Sequence, residues 1–120
     1  FGLHMINGYQ NNLGGYGEWV QKFIDMAKLQ NAKLIWVTTT PYALFREDKN
    51  VTVRKFNETA TKIVNDNNMY VADLYTCISD LVKEGNEWNV YTDGVHFKEE
   101  VKAKQGEYLA QIILKIIEKP

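Results

Sequence analysis

The feature that most constrains the fold is a nearly continuous apolar run at residues 33–38, Lys-Leu-Ile-Trp-Val-Thr. A strand with one face in water alternates apolar and polar side chains, whereas a strand that is buried on both faces does not. The run therefore predicts a strand inside a parallel sheet. A second short run at 69–74, which contains Asp73 near its end, predicts another strand, and residues 1–6 are expected to form the end of a third.

Helical periodicity separates these runs. Apolar residues recur at helical spacing in four segments, which predict helices over 19–29, 53–66, 75–83 and 99–118. Strands that alternate with helices are typical of a parallel α/β sheet, in which sites form beyond the carboxyl ends of the strands. The segments expected to gather at that edge are the Gly-, Asn- and Tyr-rich loop 7–17, the loop 39–48 and the stretch 91–97.

Bulk properties exclude several classes of protein. A chain of 120 residues predicts one domain with a modest core, and its net charge of −1 gives no electrostatic case for binding nucleic acid or an anionic membrane. No apolar run reaches transmembrane length. Cys77 is the only cysteine, so no intrachain disulfide or cysteine zinc cluster is expected, and two histidines with one nearby aspartate predict no metal site. No cofactor is predicted, and the compartment, secreted, periplasmic or cytoplasmic, stays open.

The candidate chemistry lies in residues 91–97, Tyr-Thr-Asp-Gly-Val-His-Phe. A histidine that takes a proton from a weak nucleophile needs a carboxylate on its far ring nitrogen, which fixes the tautomer and stabilises the imidazolium. One short turn through Gly94 could supply both groups, from Asp93 and His96. Spacing alone favours the alternative, an ordinary Asp-Gly turn before a helix with His96 as a surface residue.

The order of several motifs resembles the C-terminal part of an SGNH (GDSL-type) hydrolase, and the similarity covers essentially the whole chain. The motifs that carry it are Phe1-Gly2-Leu3-His4, Val37-Thr38-Thr39-Thr40-Pro41, Phe56-Asn57, Val71-Ala72-Asp73-Leu74-Tyr75 and Asp93-Gly94-Val95-His96-Phe97. The resemblance implies a three-layer α/β/α, flavodoxin-like fold with a parallel sheet. Residues 1–120 would be the C-terminal portion of one such domain.

The resemblance also implies ester hydrolysis by a Ser-His-Asp triad. His96 would be the general base and Asp93 its orienting carboxylate. Gly2 falls on the glycine of the family's third block, and His4 falls where the commoner pattern has an asparagine that donates to the oxyanion. A neutral His4 could donate one hydrogen bond to that oxyanion. Two alternatives stay open: the donor asparagine lies upstream of Phe1, or His4 merely packs at a strand end.

The nucleophile of the triad is not evident in these residues. The family's Gly-Asp-Ser block is absent, and Ser79, the only serine, lies on a predicted helix without the flanking glycines of a nucleophile turn. Cys77 has apolar neighbours and no basic residue to stabilise a thiolate. We therefore expect an esterase acting on a small-molecule or carbohydrate ester, with a serine supplied from outside this chain. The alternatives are a non-catalytic chain that binds a glycan or a protein partner, and an α/β fragment in which the Asp93–His96 spacing is coincidental.

A sheet made only of strands that end near Leu3, Val37 and Val71 would leave one apolar edge open. We expect an upstream segment, a partner chain or a swapped copy of the chain to cover it, beside the strand that ends at residues 1–3.

Overall fold

The computed structural model describes residues 2–43, 47–84, 90–92 and 96–118. Within these residues the chain forms five helices and two short strands. In chain order they are α1 (Gly2–Gly8), α2 (Leu13–Leu29), β1 (Ile35–Val37), α3 (Glu47–Asp66), β2 (Tyr70–Ala72), α4 (Leu74–Glu84) and α5 (Glu99–Glu118).

The predicted three-layer, flavodoxin-like fold is wrong. The described residues are mostly helical, and their only sheet consists of β1 and β2, paired in parallel with Ile35 opposite Tyr70. Two of the three expected strands therefore form, but the described part of the expected third strand, residues 2–6, is helical. These residues belong to α1, which packs against α3 and places Ile6 in the core with 2% of its surface exposed. A short apolar segment does not distinguish a strand from a helix, and here the contact with α3 decides between them.

The main core lies between α2, α3 and one face of the sheet. Its fully buried members include Val20 and Ile24 of α2 and Ala60 and Val64 of α3. Trp36 of β1 packs against this cluster from the sheet. Residues on one face of each helix thus meet one face of the sheet, as their periodicity predicts.

Helix α2 begins four residues before the end of the predicted 7–17 loop. Asn12 caps its first turn, because its Oδ1 accepts a 2.9 Å hydrogen bond from the Gly15 amide. Gly17 lies so close to α3 that a Cβ added there would be 3.1 Å from Cδ1 of Ile63. Tyr16 packs on the ring of Phe56 with 4.7 Å between centroids, and burial raises the pKa of Tyr16 to about 12.

A second, smaller core joins α4 and α5 to the loop before α3 and to the segment before α5. Its buried members are Ala43, Ile78, Val90, Tyr91 and Val101. The predicted bounds of α5 are confirmed, but the helix leaves Ile113, Leu114 and Ile117 exposed. No helix among the described residues is both long enough and apolar enough to cross a membrane.

Candidate functional site

The carboxyl ends of the two strands are joined by side chains. The Thr38 hydroxyl, just after β1, donates a 3.3 Å hydrogen bond to Oδ1 of Asp73, just after β2, and accepts one of 3.0 Å from the Tyr75 amide. Asp73 also caps α4, since its two carboxylate oxygens accept from the amide and the hydroxyl of Thr76 at 3.1 and 2.7 Å. The Asp73 carboxylate therefore has a structural role. Because both of its oxygens already accept hydrogen bonds, it is a poor candidate for a general base.

Two asparagines of α3 hold the backbone of the loop that follows β1. The side chain of Asn57 accepts from the Thr39 amide and donates to the Thr39 carbonyl, both at 2.9 Å. Asn50 does the same with Tyr42, at 2.7 and 3.0 Å. Both asparagines are buried, with 1% of Asn50 and 7% of Asn57 exposed. The loop at 39–42 is thereby fixed at both ends by side-chain hydrogen bonds of the kind that a neighbouring strand would otherwise supply.

Charged groups at the start of α3 extend this network. Arg54 donates to Oε1 of Glu47 at 2.7 Å and to the hydroxyl of Tyr75 at 3.0 Å, while Asn50 donates to Oε2 of Glu47 at 2.7 Å. The hydrogen bond from Asn50, followed by the one from Arg54, lowers the pKa of the Glu47 carboxyl. Glu47 thus remains an ionised acceptor at neutral pH, which suits a structural role rather than proton transfer.

A short hairpin brings the candidate histidine to the same loop. Tyr91 and Phe97 form an isolated antiparallel bridge, and the Lys98 amide donates to the Val90 carbonyl at 3.0 Å. Tyr91 is 1% exposed, and its hydroxyl donates a 2.6 Å hydrogen bond to the carbonyl oxygen of Pro41. The hairpin is therefore anchored to the segment that leaves the carboxyl end of β1.

His96 lies at the edge of this hairpin and is exposed. Its carbonyl oxygen accepts hydrogen bonds from the amide of Thr92 at 2.8 Å and from the hydroxyl of the same residue at 3.2 Å. The main chain of His96 is thus held in place, and the residue remains exposed. Asp93 lies outside the described residues, so the pairing of Asp93 with His96 stays a prediction.

The remaining predicted site residues lie elsewhere. Gly2 and His4 belong to α1, so their predicted position at a strand end is wrong, and the side chain of His4 is outside the part of the chain that the structure describes. Ser79 is half-buried within α4, as expected for an ordinary helix residue. Burial, and then the charges of Asp80 and Asp73, raise the pKa of Cys77, which disfavours a thiolate nucleophile.

The residues that build the site were mostly missed by sequence reasoning. The sequence motifs identify Asn57 only as half of an aromatic-Asn pair, and they indicate no role for Asn50 or Tyr91. One signal was available, because Asn50 and Asn57 are seven residues apart and share the buried face of α3 with Val53 and Ala60. Amides on an otherwise apolar helix face indicate buried polar groups that need partners.

Among the described residues, no group of three histidine, cysteine, aspartate or glutamate side chains is placed to hold a metal ion.

Comparison with known proteins identifies no relative: no family model, curated sequence or solved structure matches this chain.

Proposed function

We propose that this chain supplies the histidine side of an ester-hydrolysing site of the SGNH type, with Asp93 and His96 as two members of a Ser-His-Asp triad. His96 takes the proton of a serine hydroxyl as that oxygen attacks the ester carbonyl, and returns it to the departing alkoxide. Asp93 holds the imidazole and stabilises its charged form. In the second half of the reaction His96 takes a proton from water as the water oxygen attacks the acyl carbonyl, and returns that proton to the serine oxygen as the bond between this oxygen and the acyl carbon breaks and the acid leaves.

The observation that carries the proposal is the anchoring of the hairpin. A general base must be reachable by substrate and yet held in a fixed position. His96 is exposed, its carbonyl oxygen is held by Thr92, and the hairpin is tied by Tyr91 to Pro41. The base would thus stand beside the carboxyl end of β1, the edge of a parallel sheet at which sites form.

The serine of the proposed triad comes from a segment outside these 120 residues. The only serine of the chain, Ser79, lies within α4, where it lacks the setting of a catalytic nucleophile. Within the described residues β1 and β2 pair only with each other, and Val37 at the end of β1 is 41% exposed. An upstream segment, a partner chain or a second copy that covers this edge would bring its own residues beside the His96 hairpin.

The test uses the polypeptide that contains both these residues and the serine-bearing segment. Hydrolysis of p-nitrophenyl acetate and of acetylated xylo-oligosaccharides is measured for the parent protein and for the variants His96→Ala and Asp93→Asn. We expect both variants to lose about three orders of magnitude or more in kcat, as triad members do. Glu100→Gln, an exposed position on the first turn of α5, is the matched control and keeps full activity.

Full activity in His96→Ala would refute the proposal. An inactive parent protein that instead binds oligosaccharides or a second polypeptide would also refute it, in favour of a non-catalytic binding chain. The assay with acetylated xylo-oligosaccharides distinguishes the two kinds of esterase: a carbohydrate esterase hydrolyses them, whereas an esterase specific for simple acyl esters hydrolyses only p-nitrophenyl acetate.

A further inference from the structure

A small polar cavity lies between α1 and α3, next to the loop that follows β1. Its volume is about 80 Å³. The base is apolar and buried, formed by Ile6 and Val53 with 2% and 1% of their surfaces exposed. The polar wall is formed by Asn7, Gln10, Tyr42, Lys49 and Thr52.

Four of the five polar side chains of this wall, all except that of Tyr42, have no ion-pair or hydrogen-bond partner within the described part of the chain. Within the described residues Lys49 forms no ion pair, and its Nζ lies 5.7 Å from the centroid of the Tyr42 ring. In the same part of the chain, the side chains of Asn7, Gln10 and Thr52 make no hydrogen bond. One cation and three neutral donor-acceptor groups therefore line one cavity with an apolar base, and a few convergent polar groups of this kind fix the orientation of a small ligand.

We propose that this cavity binds a small hydroxy-carboxylate. The ammonium of Lys49 can only donate, so it selects an anion, and a single cation suits the single charge of a carboxylate. The amides of Asn7 and Gln10 and the hydroxyl of Thr52 both donate and accept, which suits a hydroxyl group.

The size of the cavity sets the size of the ligand. A cavity needs about 10–15 Å³ of volume to hold one water molecule. The available volume thus accommodates on the order of six non-hydrogen atoms, the size of glycerate or lactate. This inference does not rest on the proposed esterase function, since it uses neither Asp93 nor His96.

The experiment is an NMR titration of the 15N-labelled chain with D-glycerate, with glycerol and propionate as matched probes. Glycerol keeps hydroxyls without the charge, and propionate keeps the charge without a hydroxyl. For D-glycerate we expect saturable shifts confined to the amides around Asn7, Lys49 and Thr52, with a Kd on the order of 1 mM, as is usual for so small a ligand. We expect both comparison probes to bind at least about tenfold more weakly.

Two variants test the groups that carry the inference. Lys49→Gln should weaken D-glycerate binding at least tenfold, and Thr52→Val, which keeps the side-chain shape, should weaken it about threefold. Lys55→Gln removes an equivalent exposed charge six residues along α3 and should leave binding unchanged. Equal binding by Lys49→Gln, or shifts spread over surface lysines in general, would overturn the site. Equal binding of propionate would overturn its assignment to a hydroxy acid.

Discussion

The hydroxyl of Tyr91 donates a 2.6 Å hydrogen bond to the carbonyl oxygen of Pro41, fifty residues earlier in the chain. This bond is buried and joins the two cores, because Tyr91 packs with Ile78 and Val101 while Tyr42, next to Pro41, packs with Ile6. It is also the link between the β1 loop and the hairpin that carries His96.

The first prediction concerns this bond. Tyr91→Phe keeps the ring, which packs on Phe97 with 4.9 Å between centroids, but leaves the Pro41 carbonyl without its donor. We expect the free energy of unfolding to fall by about 1–2 kcal/mol, the usual cost of an unpaired buried acceptor. Urea denaturation measures it. Tyr9→Phe, a half-buried tyrosine of the main core, is the control and should change stability by less than about 0.5 kcal/mol.

The second prediction concerns the asparagine contacts of α3. Asn50→Ala leaves both the amide and the carbonyl of Tyr42 without their partner. We expect a loss of about 2–4 kcal/mol in unfolding free energy, one desolvation penalty for each group. The control is Asn65→Ala on the exposed side of the same helix, where alanine should be neutral or stabilise by up to about 0.5 kcal/mol. Equal effects at the two positions would show that the contacts to Tyr42 contribute nothing.

The third prediction is a pH dependence. Hydrogen bonds from Asn50 and then Arg54 lower the pKa of Glu47 below its ordinary value of 4.5. A carboxyl whose pKa is lower in the folded state stabilises the fold above its unfolded-state pKa, and that contribution disappears as the pH falls through the folded-state pKa. Because Glu47 and Arg54 are both about half exposed, we expect less than about 1 kcal/mol.

The measurement compares the parent chain with Glu47→Gln by urea denaturation at several pH values. The difference in unfolding free energy should be constant near neutral pH and shrink progressively below pH 4.5. Asp48→Asn removes a neighbouring charge from the same helical turn, so it corrects for the effect of net charge. A difference that grows on acidification would contradict the assigned direction of the shift.

The fourth prediction concerns the isolated chain. It should show no esterase activity towards p-nitrophenyl acetate above the buffer rate, because its single serine lies within α4. Stopped assays at high protein concentration provide the measurement. Turnover that survives Ser79→Ala and is lost in Cys77→Ala would mean that the thiol is the nucleophile, contrary to the raised pKa of Cys77.

The fifth prediction concerns association. Val37 is exposed where β1 ends, and an apolar strand edge invites pairing with another chain. We expect light scattering to show self-association of the isolated chain at high concentration, and Val37→Lys to reduce it. Val51→Lys, an exposed valine of α3, should not. If the chain stays monomeric at every concentration, the exposed edge of β1 does not need to be covered by another chain.

The sequence predicts the long helices well but the starts of α2 and α3 poorly. Helix α5 follows its periodicity from Glu99 to Glu118, and α3 was expected from residue 53 but begins at Glu47. The two acidic residues of that first turn favour a helix N-terminus, a signal that the expected boundary did not use. Apolar periodicity locates the middle of a helix, whereas its ends depend on local polar contacts.

The error at residues 13–17 has a different cause. Three glycines in five residues predict a loop, yet the segment is helical because Asn12 caps it and Tyr16 is buried against Phe56. At Gly17 an added Cβ would lie 3.1 Å from Cδ1 of Ile63, so the glycine there allows α2 and α3 to approach closely rather than forming a turn. Local propensity is a weak signal, and a contact between distant segments overrides it. Propensity alone identifies neither that contact nor the hydrogen bond from Tyr91 to Pro41.

The parallel pairing of β1 and β2 has a consequence for the speed of folding. Each pair of residues in that ladder, such as Ile35 and Tyr70, is separated by thirty-five positions, and α3 occupies much of the interval. Closing so long a loop costs entropy before any strand contact is gained. We therefore expect α3 to form first, so that substitutions on its buried face slow folding, while changes in the strands mainly accelerate unfolding.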